Sequence, residues 1–383
     1  LARSRLTWRR RYATLAAFVT APPETVMATA RKPFENRAAW YGGEMARSNA
    51  WARPLGERER REIDAALERV RHIPLFEITK HDFPLAATAD LLAGVSDELE
   101  DGFGAVRITG IPVARYSEDD LRRVFWGLCT YLGTPMYQNA RGEIMGEVRD
   151  ESRDANPTYV IPQDGKVRSS RARARSTGPL RFHTDRTDVI ALVCARNAKE
   201  GGVSKLASIV AVYNEILKRR PDLLEVLCGD FWRSRPEDED GGPGGRVFKM
   251  PVFGLRDGKL TCQYSRTFVE QAQEYPDVPR LTQDQIAAMD LLAEIAEAVC
   301  LHAPFAPGDL QLLNNHVIFH GRTAYEDDAT QAQDRLLFRL WLSVPNSRAL
   351  PAGFEILWGS IEPGAIRGGA EQQDHRRSPL VAA

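Results

Sequence analysis

His183-Thr184-Asp185 and, far downstream, His320-Gly321-Arg322 are the residues of this 383-residue chain best equipped for chemistry. Two imidazoles and one carboxylate on one face of a metal ion leave its other positions open, an arrangement that suits iron(II) with a co-substrate and dioxygen. On an extended strand the side chains at i and i+2 share a face, so His183 and Asp185 can grip one ion together. Alone the step is weak. With seven histidines in the chain, roughly half a His-x-Asp match is expected by chance, and a surface histidine beside an aspartate explains it equally well. The third ligand has two candidates, His316 and His320, in Asn314-Asn-His-Val-Ile-Phe-His320. On a strand both face the same way, so spacing leaves the choice open, and the other histidine becomes a supporting or substrate-pocket group.

The elements that must position these residues change character along the chain. Residues 59–71 and 87–100 carry helical spacing of apolar positions, and 103–109 reads as a strand running into a turn at Gly110-Ile-Pro112. Ser117-Glu-Asp-Asp120 is a capping box opening an amphipathic helix through Val124, Leu128 and Tyr131. Beyond it, apolar runs at 189–194, 247–253, 260–264, 310–313, 317–319 and 336–344 have the length of buried strands. Two helical segments interrupt them, 208–227 and, behind Thr282-x-x-Gln285, 285–300. The pattern predicts an α+β fold, a jelly-roll (double-stranded β-helix) core with buttressing and inserted helices.

No repeat or linker divides the chain, so one domain is expected over 27–363, helical to about residue 100 and jelly roll from about 101 to 350. Residues 1–26 read as an upstream extension before Met27 rather than a signal peptide, because the apolar stretch at 12–21 is short and interrupted by threonine. The Gly-rich, polar tail 364–383 reads as disordered. Glu237-Asp-Glu-Asp-Gly-Gly-Pro-Gly-Gly245 reads as a flexible acidic loop; it lacks the Gly-Lys-Ser/Thr ending of a phosphate loop. A net charge of -1 gives no bulk attraction to nucleic acid or to an acidic membrane. Five scattered cysteines without a CxxC point to reduced thiols and a cytoplasmic setting, and no apolar run is long enough to cross a bilayer.

The segment from Asn315 to Arg322 resembles the iron(II)/2-oxoglutarate dioxygenases of the taurine dioxygenase and clavaminate synthase-like group, whose distal ligand follows an Asn-x-x-x-x-His pattern often continued by x-Arg. The resemblance implies His320 as the ligand rather than His316. Gly201-Gly202-Val203-Ser204 resembles the family's Gly-Gly-x-Ser/Thr, which implies that the Ser204 hydroxyl binds the distal carboxylate of 2-oxoglutarate. Asp334-Arg-Leu-Leu-Phe-Arg339 resembles its paired arginines, implying that Arg335 forms a salt bridge to that carboxylate and that Arg339 faces the substrate or the iron-bound end. The chemistry agrees, since a guanidinium offers two parallel donors matched to a carboxylate, and an unpaired arginine on an apolar strand is costly.

Residues 104–113 resemble the family's early strand and turn, and Tyr137-Gln-Asn-Ala-Arg-Gly142 its substrate-side loop, where Gln138 reaches co-substrate or substrate unless this is an ordinary polar turn. His316 and Arg322 fall in the same group of substrate-pocket or supporting residues. A departure from the family is the basic run Lys166-Val-Arg-Ser-Ser-Arg-Ala-Arg-Ala-Arg175, read as a solvated loop or as a device steering an anionic substrate. Halogenating relatives carry Ala or Gly where Asp185 stands, so oxygenation or desaturation is implied.

The implied reaction uses Fe(II), 2-oxoglutarate and dioxygen, releases succinate and carbon dioxide, and oxidises an unactivated C–H bond of a small molecule. Hydroxylation is the default outcome; desaturation or ring closure needs only another substrate pose. Arg339 and the basic run hint at a carboxylate-bearing or amino-acid-like substrate, with a place in specialised metabolism. Two rivals use the same residues. A zinc or manganese hydrolase leaves Ser204, Arg335 and Arg339 without a role, and a non-catalytic jelly-roll binding protein makes the triad vestigial.

Overall fold

The strand Leu336–Ser343 sets out how alternation in the sequence builds the fold. Leu336, Phe338, Leu340 and Leu342 lie on one face, with Val189, Ala191 and Val193 of the neighbouring strand Val189–Arg196. That face packs on the helices Glu57–Val70, Ala87–Asp101 and Glu118–Cys129 through Ile63, Leu67, Leu92, Val95, Val124 and Phe125. The alternate residues Leu337, Arg339 and Trp341 point the other way, into the space between two sheets. The chain is described from a computed structural model over residues 31–380, apart from 153, 155–172, 237–238, 240–244, 329 and 331–332.

The larger sheet has seven strands. Six run in the order Ala52–Pro54, Ala105–Thr109, Leu310–Asn314, Val189–Arg196, Leu336–Ser343 and Thr134–Pro135, and Met145–Val148 also pairs with Leu336–Ser343. All its pairs are antiparallel except the first. The smaller sheet is antiparallel and runs Leu301–Ala303, Ser204–Ser208, Ile318–Arg322, Leu180–His183. A second core joins its Leu206, Ala207 and Phe319 to the helices Ile209–Arg219, Pro221–Cys228 and Gln283–Val299. Residues Pro33–Ala383 form one compact unit.

Both capping boxes form, at Ser117 with Asp120 and at Thr282 with Gln285. The segment 208–227 is two helices rather than one. Pro221 has no N–H to donate and starts the second helix, where that donor is not needed. The apolar run 247–253 likewise divides: Val247–Pro251 pairs with Asp230–Ser234, and Phe253–Arg256 turns back on Lys259–Cys262. No described helix is long and apolar enough to cross a membrane.

The tail expected to be disordered after residue 363 packs instead over 364–380. Arg367 is fully buried and its Nε donates to Asp188 at 2.9 Å. The Gly369 and Ala370 N–H groups donate to the carbonyls of Arg186 and Tyr137, and Ser378 Oγ to that of Pro135. Composition counts glycines and charges; it is blind to a buried carboxylate elsewhere in the chain that needs a cation. The expectations for residues 1–26, for 166–172 of the basic run and for most of the acidic loop 237–245 fall outside the described residues.

Removing one partner of a buried ion pair leaves the other charge uncompensated, at a cost of about 3–5 kcal/mol. Arg367→Met is therefore expected to lower the urea midpoint by an amount equivalent to about that much, with an unchanged m value. A midpoint equal to the parent's would mean that the tail does not stabilise the fold through Asp188.

Candidate metal centre

Antiparallel pairing places the two imidazoles. His320 of Ile318–Arg322 lies opposite His183 of Leu180–His183, and their ring centroids are 4.2 Å apart. Register shifts immediately afterwards, so that Arg322 pairs with Leu180. The residue between is Gly321, where a Cβ would come within 2.8 Å of the Leu180 carbonyl oxygen. Asp185 lies beyond the end of its strand, so side-chain alternation does not hold it. Its N–H donates to Asn315 Oδ1 at 2.9 Å, and its Oδ2 accepts from Trp341 Nε1 at 3.0 Å. Thr184 between the ligands is tied to Tyr264 by two bonds, N–H to carbonyl at 2.8 Å and Oγ1 from N–H at 2.9 Å.

The result is a buried cluster in which one donor atom from each of His183, Asp185 and His320 lies within 4.8 Å of the others. The two Nε2 atoms stand 3.6 and 3.7 Å from the Asp185 oxygens. The Nδ1 of His183 faces the Arg181 carbonyl at 3.0 Å. A carbonyl only accepts, so Nδ1 carries the proton and Nε2 keeps its lone pair for a metal. Burial, with His183 adjacent, pushes the His320 pKa down to about 3, against the pull of Asp185, so this ring is neutral at physiological pH. Burial pushes the Asp185 carboxyl up, but its surroundings, Arg339 and the Trp341 hydrogen bond among them, outweigh it and lower the group below the usual carboxylate value. His320 Nδ1 is buried without a hydrogen-bond partner among the described residues. Two imidazole nitrogens and one carboxylate are the donor set that iron(II) takes, and the residues present fit it.

His316 does not belong to the cluster. Its Nε2 donates to Asp188 at 2.8 Å and its Nδ1 accepts from Thr261 Oγ1 at 2.7 Å, so both nitrogens are occupied, and its ring lies beside Trp358. Burial lowers its pKa despite Asp188. It ties together Asp188, Thr261 and the Arg367 tail rather than reaching a ligand.

On the imidazole side lies a cavity lined by His183, His320, Ser204, Arg322, Arg335 and Arg339, among others. Arg335 is buried, forms no ion pair among the described residues and touches only the Val148 carbonyl, at 3.4 Å, beyond the face of Tyr325. Burial lowers its pKa. Ser204 Oγ donates to Gln311 Oε1 at 3.0 Å across to the larger sheet. The paired glycines before it have a physical reason. Gly201 and Gly202 have φ of +78° and +65°, and a Cβ would meet the Ala324 carbonyl at 2.2 Å and Arg335 Nε at 3.0 Å, respectively. Tyr325 carries no local sequence signal: its hydroxyl is buried between Arg322 and Arg335 without a hydrogen-bond partner among the described residues.

Arg339 lines the same cavity, with its Nε donating to Gln138 Oε1 at 2.6 Å, while Gln138 Nε2 donates to the carbonyls of Arg339 and Ile144. Gln138 therefore orients Arg339. Arg322 donates to the carbonyls of Arg173, Ala174, Ser176 and Gly178 and so pins the segment entering the first ligand strand. Of the basic run, Arg175 is buried between Glu143 and Glu151. A second cavity opens on the Asp185 and Trp341 side.

The model of the family "Taurine catabolism dioxygenase TauD, TfdA family" matches residues 69–341. The chain is 30% identical to the FR-33289 synthase of Streptomyces rubellomurinus over 344 residues, 86% of this chain and 96% of that one. It is also 30% identical to the taurine hydroxylase-like protein SAT17 of Stachybotrys chartarum over 313 residues, 79% of this chain and 77% of that one. In fold it resembles asparagine oxygenase in complex with Fe(II), 2S,3S-3-hydroxyasparagine and succinate (TM-score 0.58, 15% identity, 76% of this chain and 93% of that one). The non-heme iron oxygenase OrfP in complex with Fe and alpha-ketoglutaric acid is similar too (TM-score 0.56, 14% identity, 76% and 93%). With its triad assembled, the chain belongs to the TauD, TfdA family, the 2-oxoglutarate-dependent non-haem iron dioxygenases.

Proposed function

We propose that this protein hydroxylates an unactivated C–H bond of a small, amino-acid-like or otherwise anionic molecule, releasing succinate and carbon dioxide. The two sheets would be the halves of a double-stranded β-helix with the triad between them. His183, Asp185 and His320 hold iron(II), and bound iron with 2-oxoglutarate and dioxygen supplies the oxidising power for C–H cleavage. The protein's own residues do the rest. Trp341 and Asn315 fix the Asp185 carboxylate and backbone, and the Arg181 carbonyl fixes the His183 tautomer. Arg335 and Ser204 receive the distal carboxylate of 2-oxoglutarate, with Tyr325 donating its free hydroxyl to the same group. Arg339, steadied by Gln138, adds positive charge beside the metal.

One observation carries this reading: a buried guanidinium without a carboxylate partner among the described residues, Arg335, faces the same cavity as the two imidazoles. A buried cation of that kind calls for an anion from outside the chain. A hydrolase has no use for a dicarboxylate there. The hydroxylated amino acids and succinate named with the related asparagine oxygenase and OrfP structures support an amino-acid-like substrate.

Anaerobic addition of 2-oxoglutarate to the Fe(II) protein is expected to produce a visible metal-to-ligand charge-transfer band. In Arg335→Ala the 2-oxoglutarate concentration for half-maximal band should rise roughly tenfold or more, the loss of a charge-assisted bond. Stoichiometric iron binding without a band in the parent would refute the proposal. Trp341→Phe removes the donor to Asp185, and its Fe(II) affinity in competition with a chelator is expected to fall roughly 10–100-fold. Parent-like affinity would show that the carboxylate needs no such support.

A further inference from the structure

The cavity on the Asp185 side holds charge that the co-substrate does not explain. Its walls include Phe248, Phe268, Trp341 and Leu357, and its polar lining includes Arg186, Arg233, Arg235 and Gln263. Asp185 is the one acid among the described lining residues, and it belongs to the triad. Arg186 is neutralised by a two-pronged pair with Glu239, at 2.9 and 2.6 Å. Arg233 is different. It is 3% exposed and forms no ion pair among the described residues. Of its five N–H donors, one reaches the Gln263 carbonyl at 2.6 Å and another the Pro251 carbonyl at 2.8 Å. Among the described residues its Nε is buried without a hydrogen-bond partner, and so is the Oε1 of Gln263 on the same wall. Burial pushes the guanidinium pKa down to about 10, so it stays charged at neutral pH.

We infer that this cavity is the substrate chamber and that Arg233 anchors an oxyanion of the substrate, with Gln263 accepting from an N–H or O–H of the same molecule. The inference rests on the oxygenase reading above and deepens it. The ribbon Asp230–Ser234 and Val247–Pro251 carries Arg233 and Phe248, so the anchor lies outside both sheets, while the metal lies between them. A small molecule gripped at Arg233 then extends along the apolar wall toward Trp341 and the Asp185 edge of the metal. Arg339, the arginine that the sequence suggested for this task, lines the other cavity and is held by Gln138. Carboxylate, sulfonate and phosphonate share the chemistry that a guanidinium recognises. An uncharged substrate would leave Arg233 a buried cation without an anion.

The test uses full-length protein loaded anaerobically with Fe(II) and 2-oxoglutarate. Calorimetry measures binding of four probes on one skeleton: β-alanine, 2-aminoethanesulfonate, 2-aminoethylphosphonate and, without the oxyanion, ethanolamine. At least one acid is expected to bind and ethanolamine not. Arg233→Gln, with its charge-transfer band intact, should weaken the acid roughly tenfold or more, and Arg233→Lys should recover part of that loss. The preferred acid identifies the oxyanion. Phe268→Trp, which narrows the chamber, should block binding as well, and if Arg233→Gln fails to fold, weakened binding of the acid to Arg233→Lys decides the role of the anchor. Parent-like binding to Arg233→Gln or to Phe268→Trp, ethanolamine binding as tightly as the acids, or no acid binding to protein that shows the band would each overturn the inference. A parent without the band would instead defeat the oxygenase reading, so the two failures are distinguishable.

Discussion

The pairing of His320 with His183 across two neighbouring strands is the constraint on which the rest of the site depends. Antiparallel register brings residues 137 positions apart to a ring separation of 4.2 Å, and a shift of one residue would turn one imidazole to the opposite face. The neighbouring strand Ser204–Ser208 fixes that register from the other side, with Leu206 opposite His320 and Ser204 opposite Arg322. The same pairing that sets a metal ligand therefore sets the hydroxyl assigned to the co-substrate. Gly321 lets the strand approach Leu180 at the point where the register changes. The third ligand needs other support, because Asp185 lies past the strand, and Trp341 of the larger sheet and Asn315 in the turn joining the two sheets provide it. The metal site is thus also a joint between the two sheets.

Burying so much positive charge is the second problem the fold solves, and the solutions differ by location. Arg367 and Arg348 meet buried carboxylates, Asp188 and Glu100, and serve as internal ties. Arg322 donates to four carbonyl oxygens and serves as a loop anchor; burial pushes its pKa down to about 10. Arg335 and Arg233 have neither enough carbonyls nor an acid among the described residues, and each lines a cavity that touches the triad. A buried cation left short of partners is expensive in a folded chain unless something outside the chain completes it. Sorting the arginines by what they touch separates the structural ones from those that await a ligand.

How much of this was legible in the sequence follows from which interactions are local. The caps at Ser117 and Thr282 depend on residues three apart, and both form as read. The ligands were legible because the chemistry restricts residue type and the His-x-Asp and Asn-x-x-x-x-His spacings are short. Helix breaks were partly legible: Pro221 was visible, yet the periodicity on either side masked it. Trp341, Tyr325, Arg233 and Gln263 were not, because each matters only through a partner on another strand, and register across a sheet is not written in any one segment. The tail failed for the same reason. Its glycines and charges read as disorder, whereas Asp188, 179 residues earlier, supplies the partner that orders it.

That tail also reaches the site. Asp188 is three residues beyond the ligand Asp185, and it is gripped at once by His316, Arg367, Ser343 and the Val344 N–H. His316 follows Asn315, whose side chain holds the Asp185 backbone, and Ser343 is two residues along the strand from Trp341, which holds its carboxylate. The elements that orient the carboxylate ligand therefore all converge again, one layer back, on a single buried anion. Gly369 closes the loop by binding the Arg186 carbonyl, next to Asp185. The candidate His316, although no ligand, is part of the frame that keeps Asp185 in place while the imidazoles are held by the sheet. Two independent supports, strand register for the histidines and a polar core for the aspartate, meet at one point, and that division lets a cavity exist on each side of it.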